Sequence, residues 1–361
     1  RILYKKIIDN GVEVFEFSTN PDDELYLVNF TAVGSQQGNY KVASSNAISN
    51  IYEYIAPISG VKQGDFEPIV QLVAPVKLQV AVVNGAFKPN EKTAIEFEFA
   101  ASNNDLNLYA SLNDDNNTGV ASQLSLKHQL LKTAEGWSLD VNSNIDYIQN
   151  NFRNIEGLYN PEFNRDWNIE APTGNQITSE LGDQIFAVGG VQFLHLEKGN
   201  LNYQFQHLNF KDNYEGSRHV FFTKLNLQHF QIYSNSSFLK TDGLNTNSFF
   251  YRSDNRLKYS YKKGWSGVEF STEHNEKKEV ELNQLDPVSQ KFQAYEVFTA
   301  VGDSTKVFVK LGYRHRVNDS LQNNRLAKVN ASDTYYLDSK WIQTQNTNLS
   351  LYANYRVFKS I

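Results

Sequence analysis

Four cations recur on one parity of a single stretch: Lys306, Lys310, Arg314 and Arg316. Spacings of two and four residues put all four on one side of a β-strand. Like charges on one face repel unless something answers them. Arg252, Arg256 and Lys258 repeat the habit further upstream. Facing inward, these groups could meet Asp140, Asp146, Glu96 and Glu98, or bind an anionic polymer or a plug; facing outward, they form a solvated surface. Internal charge pairing is the expectation.

Other residue types with chemical potential lack the spacing that chemistry needs. The seven histidines (His128, His195, His207, His219, His229, His274, His315) stand singly, and none forms a His-x-His or His-Glu-x-x-His set. The oxygen-rich run Asn113-Asp114-Asp115-Asn116-Asn117-Thr118-Gly119 lacks the distal Glu of an EF-type calcium loop. It reads as a turn. The four carboxylates could act as a glycosidase pair only if folding set two of them about 5–10 Å apart, and each already suits a wet strand face. No nucleophile elbow, P-loop or dinucleotide fingerprint is present. The reading is of a protein with no catalytic residues, no metal and no cofactor.

The segment 149–183 has the best claim to function. Asn160-Pro161-Glu162-Phe163-Asn164-Arg165-Asp166-Trp167 mixes aromatics, charges and a proline in a connection too long for a tight turn. Its aromatics must pack on something: a lumen, a partner or a sugar. Arg165 and Trp167 are therefore candidate contact residues, beside the four cations of 306–316.

The elements that would position these groups are strands. The 361 residues include 24 Phe, 20 Tyr and 4 Trp, yet the mean hydropathy is polar at −0.51. That combination suits strands that alternate apolar and polar side chains. In 137–147, Trp137, Leu139, Val141, Ile145 and Tyr147 oppose Ser138, Asp140, Asn142, Asn144 and Asp146. The same period of two marks 306–316, 346–358, Ile95/Phe97/Phe99, Leu106/Leu108/Ala110, Leu124/Leu126 and Leu257/Tyr259/Tyr261. About fourteen such runs follow residue 90, longer than the usual ~5–6 residues of soluble strands. Short turns alternate with longer connections at 149–183, 277–289 and 318–332. Three runs, 185–196, 201–211 and 220–227, are apolar at both parities or change parity, which predicts bulges or a buried second face.

Five of the eight prolines (Pro21, Pro57, Pro68, Pro75, Pro89) precede residue 90. Proline breaks ladders, so the chain is expected to divide there: a small β module over 1–88, then a sheet or barrel over 89–361. In the module, 3–8 and 12–18 flank the hairpin signal Asp9-Asn10-Gly11, with further strands at 25–33 and 40–43 and a long apolar run at 69–83. Cysteine and methionine are absent and the net charge is −6. There is no disulfide framework and no basic stripe for nucleic acid. Starting at Arg1 with no leader, the chain reads as a processed protein or a piece of a longer one. No stretch approaches the ~18 consecutive apolar residues of a membrane helix, a test that transmembrane strands do not need to pass.

The pieces Gly38-Asn39-Tyr40 and Gly64-Asp65-Phe66-Glu67-Pro68-Ile69, the Asn/Asp-rich hairpins and Glu162-Phe163-Asn164-Arg165-Asp166-Trp167 together resemble surface and outer-membrane β proteins of the Bacteroidetes type. The chain looks most like a section of their large outer-membrane proteins, which include the giant barrel of the type IX secretion translocon. The resemblance implies a Gram-negative outer membrane or cell surface, with membrane lipid and other envelope proteins as partners, and work in transport, secretion or assembly. The end, Tyr355-Arg356-Val357-Phe358-Lys359-Ser360-Ile361, departs from the aromatic finish of such barrels, so missing strands or an unclosed sheet are expected. The expectation is thus an all-β protein whose long antiparallel strands form an outer-membrane β-barrel or part of one. The alternatives are a surface-exposed or secreted binding protein for glycan or protein, and a carbohydrate-active enzyme.

Overall fold

The computed structural model describes residues 2–45, 50–70, 74–111, 114–169, 181–344 and 347–360. It is all-β, and the chain divides into two compact units, Arg1–Pro75 and Val76–Ile361. The division falls earlier than residue 88 because the apolar run before Pro89 is the first strand of the large sheet, not the last of the module. Of the run 69–83, residues 71–73 lie outside the described residues.

In the first unit, β1 (Tyr4–Asp9), β2 (Val12–Phe17) and β3 (Leu25–Tyr26) form one sheet in the order β2-β1-β3. The second sheet orders β4 (Thr31–Ala32), β7 (Phe66–Glu67), β5 (Tyr40–Ser45) and β6 (Asn50–Tyr54) as β4-β7-β5-β6. Asn10 and Gly11 both take positive φ, as a tight hairpin turn of this kind requires. An aromatic cluster joins the two sheets, with Phe30 against Tyr4, Tyr40 and Tyr52 at 4.6–5.0 Å between ring centroids. The two buried tyrosine hydroxyls accept backbone hydrogen bonds, Tyr4 from Tyr52 at 3.0 Å and Tyr40 from Phe15 at 2.8 Å. The two Gly-x-aromatic pieces pair with each other: Gly38 bridges Gly64, and Tyr40 faces Phe66. A Cβ on Gly38 would lie 2.3 Å from the Phe66 carbonyl oxygen, and one on Gly64 2.3 Å from that of Tyr40. Only glycine permits that reciprocal approach.

The second unit is one fourteen-stranded antiparallel meander. Its strands are β8 (Lys77–Asn90), β9 (Thr93–Asp105), β10 (Thr118–Lys132), β11 (Trp137–Ile148), β12 (Gln184–His195), β13 (Gly199–Phe210) and β14 (Tyr214–Leu227). They continue as β15 (Phe230–Gly243), β16 (Thr246–Tyr261), β17 (Gly264–Glu279), β18 (Gln290–Gly302), β19 (Phe308–Gln322), β20 (Arg325–Gln343) and β21 (Asn348–Ser360). Each pairs with its sequence neighbours, and β8 and β21 are the free edges, so the sheet is open. Connections at one end are turns of five residues or fewer; the other end carries the long connections 106–117, 149–183 and 280–289.

Three details differ from the sequence expectation. Leu106, Leu108 and Ala110 lie in a connection, where Leu106 and Leu108 are exposed, because β9 ends at Asp105. The expected connection 318–332 is instead the end of β19 and the start of β20, joined by Asn323-Asn324 with φ of 50° and 60°. Two left-handed residues make the primed turn whose twist matches paired strands. Lys306 lies in the turn before β19, where its N–H donates to Asp303 at 3.0 Å, and does not share the strand face of the other three cations.

Candidate functional site

The strand period sorts the side chains of the meander onto two unlike faces. One face carries Phe97, Leu124, Ile145, Val191, Tyr203, Phe221, Leu257, Val268, Val297, Leu311, Tyr335 and Leu351, all large, apolar and exposed. This band crosses the strands obliquely. The register row through Phe97 runs by Leu124, Ile145, Ala187, His207, Ser217, Lys240 and Phe249 to Glu276 on β17. On β17 the apolar residues are Val268 and Phe270, about six to eight residues nearer the short-turn end. At ~3.3 Å per residue and ~4.8 Å per strand, that is about 23 Å of shift over about 38 Å of width. A level band therefore crosses strands tilted by about 30°.

The opposite face holds the polar groups. Glu96, Glu98, Asp140 and Asp146 lie on it in β9 and β11, and Arg252, Arg256, Lys258, Lys310, Arg314, Arg316 and Arg356 in β16, β19 and β21. The expected pairing between these two sets does not form. Asp146 accepts from Gln123 at 2.9 Å and Asn144 at 2.8 Å, and Asp140 from Ser138 at 3.0 Å. Arg256 instead meets Glu269 at 2.6 Å and Lys310 meets Glu296 at 3.8 Å, each partner on the adjacent strand. Aromatic faces carry part of the load: Lys258 sits 4.9 Å from the Trp265 ring centroid, Lys310 4.3 Å from that of Phe298 and Arg316 4.1 Å from that of Phe292.

Across this face lies the first part of the long connection, 150–169. It crosses at the end with the long connections, and its single helical turn α1 (Phe163–Asp166) sits at the centre. Phe163, Trp167 and Ile169 are buried with Leu208, Phe210, Leu239 and Phe250, and Trp167 is 1% exposed. Leu208 and Phe210 are the extra apolar positions that change the parity of 201–211, and Phe186 in 185–196 packs against the same cluster. The ladders of β12 to β15 hold register without a bulge, so a buried second face is the cause. Trp167 packs edge-to-face on Phe186 at 5.7 Å. A Cβ on Gly216 would lie 3.0 Å from the Trp167 ring, and one on Gly119 2.1 Å from the Phe152 nitrogen, so both glycines leave room for the segment.

Polar contacts fix the same segment strand by strand. Arg153 donates its N–H to the buried Ser102 hydroxyl at 2.9 Å. Gln184 donates to the Tyr159 hydroxyl, and burial pushes that phenol up to about 12. Burial also lowers the Arg153 guanidinium from its ordinary value. Tyr214 donates to the Trp167 carbonyl at 2.6 Å. Asp166 accepts from both Arg218, at 3.2 Å, and Arg252. Arg165 reaches Glu273 at 3.0 Å, and Asn168 and Asn275 exchange amide hydrogen bonds at 2.8 and 3.1 Å. One turn of helix, about 6 Å long, and the three residues after it thus contact strands from β12 through β17, about 24 Å of flat sheet. The sheet must curl around them, which makes the polar face concave.

Between 152–159 and the strands β8 to β11 is a cavity of about 620 Å³, lined by Val80, Val82, Ala100, Ile148, Phe152 and Leu158 with Glu98 and Asp146 at its polar side. Among the described residues no three His, Cys, Asp or Glu side chains gather as metal ligands. Of the oxygen-rich turn, Asn113 lies outside the described residues; Asp114 accepts from the Asn117 side chain at 3.0 Å within a short turn of 3-10 helix. The residues 170–180 of the long connection also lie outside them.

Arg165 and Trp167 are thus in contact with the sheet, and Lys310, Arg314 and Arg316 share its concave face. Sequence reasoning missed Asp166, Arg218, Glu269, Glu273 and Glu296. Their partners are set by strand register, and the one readable hint was Asp166 beside the two candidates already chosen. No family model matches the chain, and the search of curated proteins returned no match.

Proposed function

We propose that the second unit is the wall of an outer-membrane β-barrel, or a section of one, serving transport, secretion or envelope assembly without catalysis. One observation carries this reading: the exposed apolar band that crosses the meander on a single face. Isolated exposed apolar residues are ordinary, but a band of this extent, interrupted on β15 by Ser234 and Ser236, marks a surface meant for something other than water. Its obliquity supports lipid as that partner, because barrel strands tilt by about 35–45° in a membrane and the band implies about 30°. Short turns at one end and long connections at the other fit the same plan. The concave polar face then looks into an aqueous interior, partly filled by 150–169.

Purified full-length chain is expected to need detergent for solubility, to partition into the detergent phase, and to migrate differently on a gel before and after heating. A freely water-soluble monomer would overturn the reading. It would favour a surface-exposed or secreted binding protein, for which a glycan array with wild type and Trp167→Ala is the next measurement.

A further inference from the structure

Three guanidinium groups converge on the concave face beside the β21 edge. Arg314 on β19, Thr334 on β20 and Arg356 on β21 occupy one register row, and Arg316 lies two residues along β19 on the same face. Among the described residues no carboxylate forms an ion pair with them. Glu296 stands directly opposite Arg314 in register, and its Oε1 takes the Tyr336 hydroxyl and Lys310 while no ion pair forms to Arg314. Glu269 holds Arg256, and Glu273 holds Arg165 and Gln290. Asp338 lies four residues along β20 from Thr334, about 13 Å away.

What remains is an array of unused donors. Arg316 spends Nε on Asn318 at 2.8 Å, and Arg356 spends Nε on Thr334 at 3.1 Å. Among the described residues their terminal nitrogens have no acceptor, and Arg314 has neither hydrogen bond nor ion pair. The two Nε bonds orient the forks, and Phe292 supports the Arg316 plane from behind at 4.1 Å. Oriented, planar forks without counter-ions match ligands that offer paired anionic oxygens.

We propose that Arg314, Arg316 and Arg356 form a binding site for an anionic-oxygen ligand, a sulfate, phosphate or carboxylate group borne by a free solute or by a polysaccharide. The site needs only the concave face, so it stands whether or not the opposite face meets lipid. The Asn and Thr side chains around it, Asn318, Asn354 and Thr334, suit the neutral part of a sugar.

The test uses full-length chain in a zwitterionic detergent, with inorganic sulfate and a dextran sulfate oligosaccharide as probes followed by titration calorimetry. Wild type is expected to bind dextran sulfate, with loss of about tenfold in affinity for each of Arg314→Gln, Arg316→Gln and Arg356→Gln, and no change for Lys306→Gln in the turn. Sulfate that binds as tightly as the oligosaccharide assigns a free solute; sulfate that competes only in large excess assigns the polymer, and both support the site. Absence of wild-type binding, or an equal loss with Lys306→Gln, overturns it. The triple Arg→Lys variant keeps the charge and removes the forks, so wild-type affinity there overturns the geometric claim even if a Gln variant folds poorly.

Discussion

The two faces of the meander are built from the same strands but meet their surroundings differently. On one, Phe97, Leu124, Val268, Val297 and Leu311 stand about half exposed among the described residues. On the other, the chain supplies its own cover: Phe163, Trp167 and Ile169 take up apolar sheet residues, while Asp166, Arg165 and Asn168 take up polar ones. The concave face therefore carries a mixed surface because its partner is a mixed segment. The apolar band on the other face stays exposed because its partner, under the proposed reading, is an apolar solvent.

Removing the cover is expected to have the largest effect. Trp167→Ala deletes the largest fully buried side chain among the described residues and should cost about 3–5 kcal/mol locally, as large-to-small changes in tight sites do. Proteolysis within 150–169, followed against urea, checks this; an unchanged cleavage profile would mean that the segment does not depend on its anchor. Gly216→Ala approaches the same contact from the strand side and should cost about 1–3 kcal/mol by overpacking, since the new Cβ meets the Trp167 ring at 3.0 Å.

The faces themselves can be set against each other with one residue type. Val297→Arg places a charge in the apolar band and should cost about 2–4 kcal/mol in a bilayer. Asn354→Arg, on the concave face of β21, should stay within about 0.5 kcal/mol. Refolding into lipid vesicles under urea separates them. Equal effects would show that the two faces see the same solvent, and the membrane reading would fall. Asp166→Ala should follow at about 2 kcal/mol, because it leaves Arg218 and Arg252 near each other without their shared carboxylate. A double change with Arg218→Gln should recover part of that loss.

Much of this contrast was legible in the sequence, and the reasons are local. Period-two alternation in 137–147 or 346–358 needs no knowledge of neighbours, so strand type and the wet-and-dry division followed directly, while the expected fourteen or so strands after residue 90 are thirteen, the fourteenth of the sheet being β8 before it. The weight given to 149–183 followed from its length and its aromatics. What failed was non-local. Asp140 and Asp146 were assigned to the cations on charge alone, whereas register puts Glu269 and Glu296 within reach. Lys306 shares parity with Lys310, but parity says nothing about where a strand starts. Asn323-Asn324 was passed over because the polar stretch around it resembles a loop, although two residues able to take positive φ suffice for a hairpin. The chain's division was placed late because Pro89 was read as a breaker, while it sits at the end of an edge strand where a missing N–H is tolerated.

The smallest expected effect is also the most specific to the covered face. The Tyr159 phenol, against Gln184 and stacked 3.9 Å from Phe163, holds its proton up to about pH 12 because burial disfavours the phenolate. A released Tyr159 would ionise near ~10. Its folded value is raised above the unfolded one, so the segment keeps its full strength below about pH 10. It then weakens as pH climbs from about 10 to 12, the sign that linkage requires. Other tyrosines titrate in that window, so the measurement is a difference: cleavage within 150–169 at pH 9 and pH 11, in wild type and in Tyr159→Phe. Wild type should open more between the two values than the variant does. An identical response would place the Tyr159 hydroxyl in water, and with it the turn that carries α1 onto the sheet.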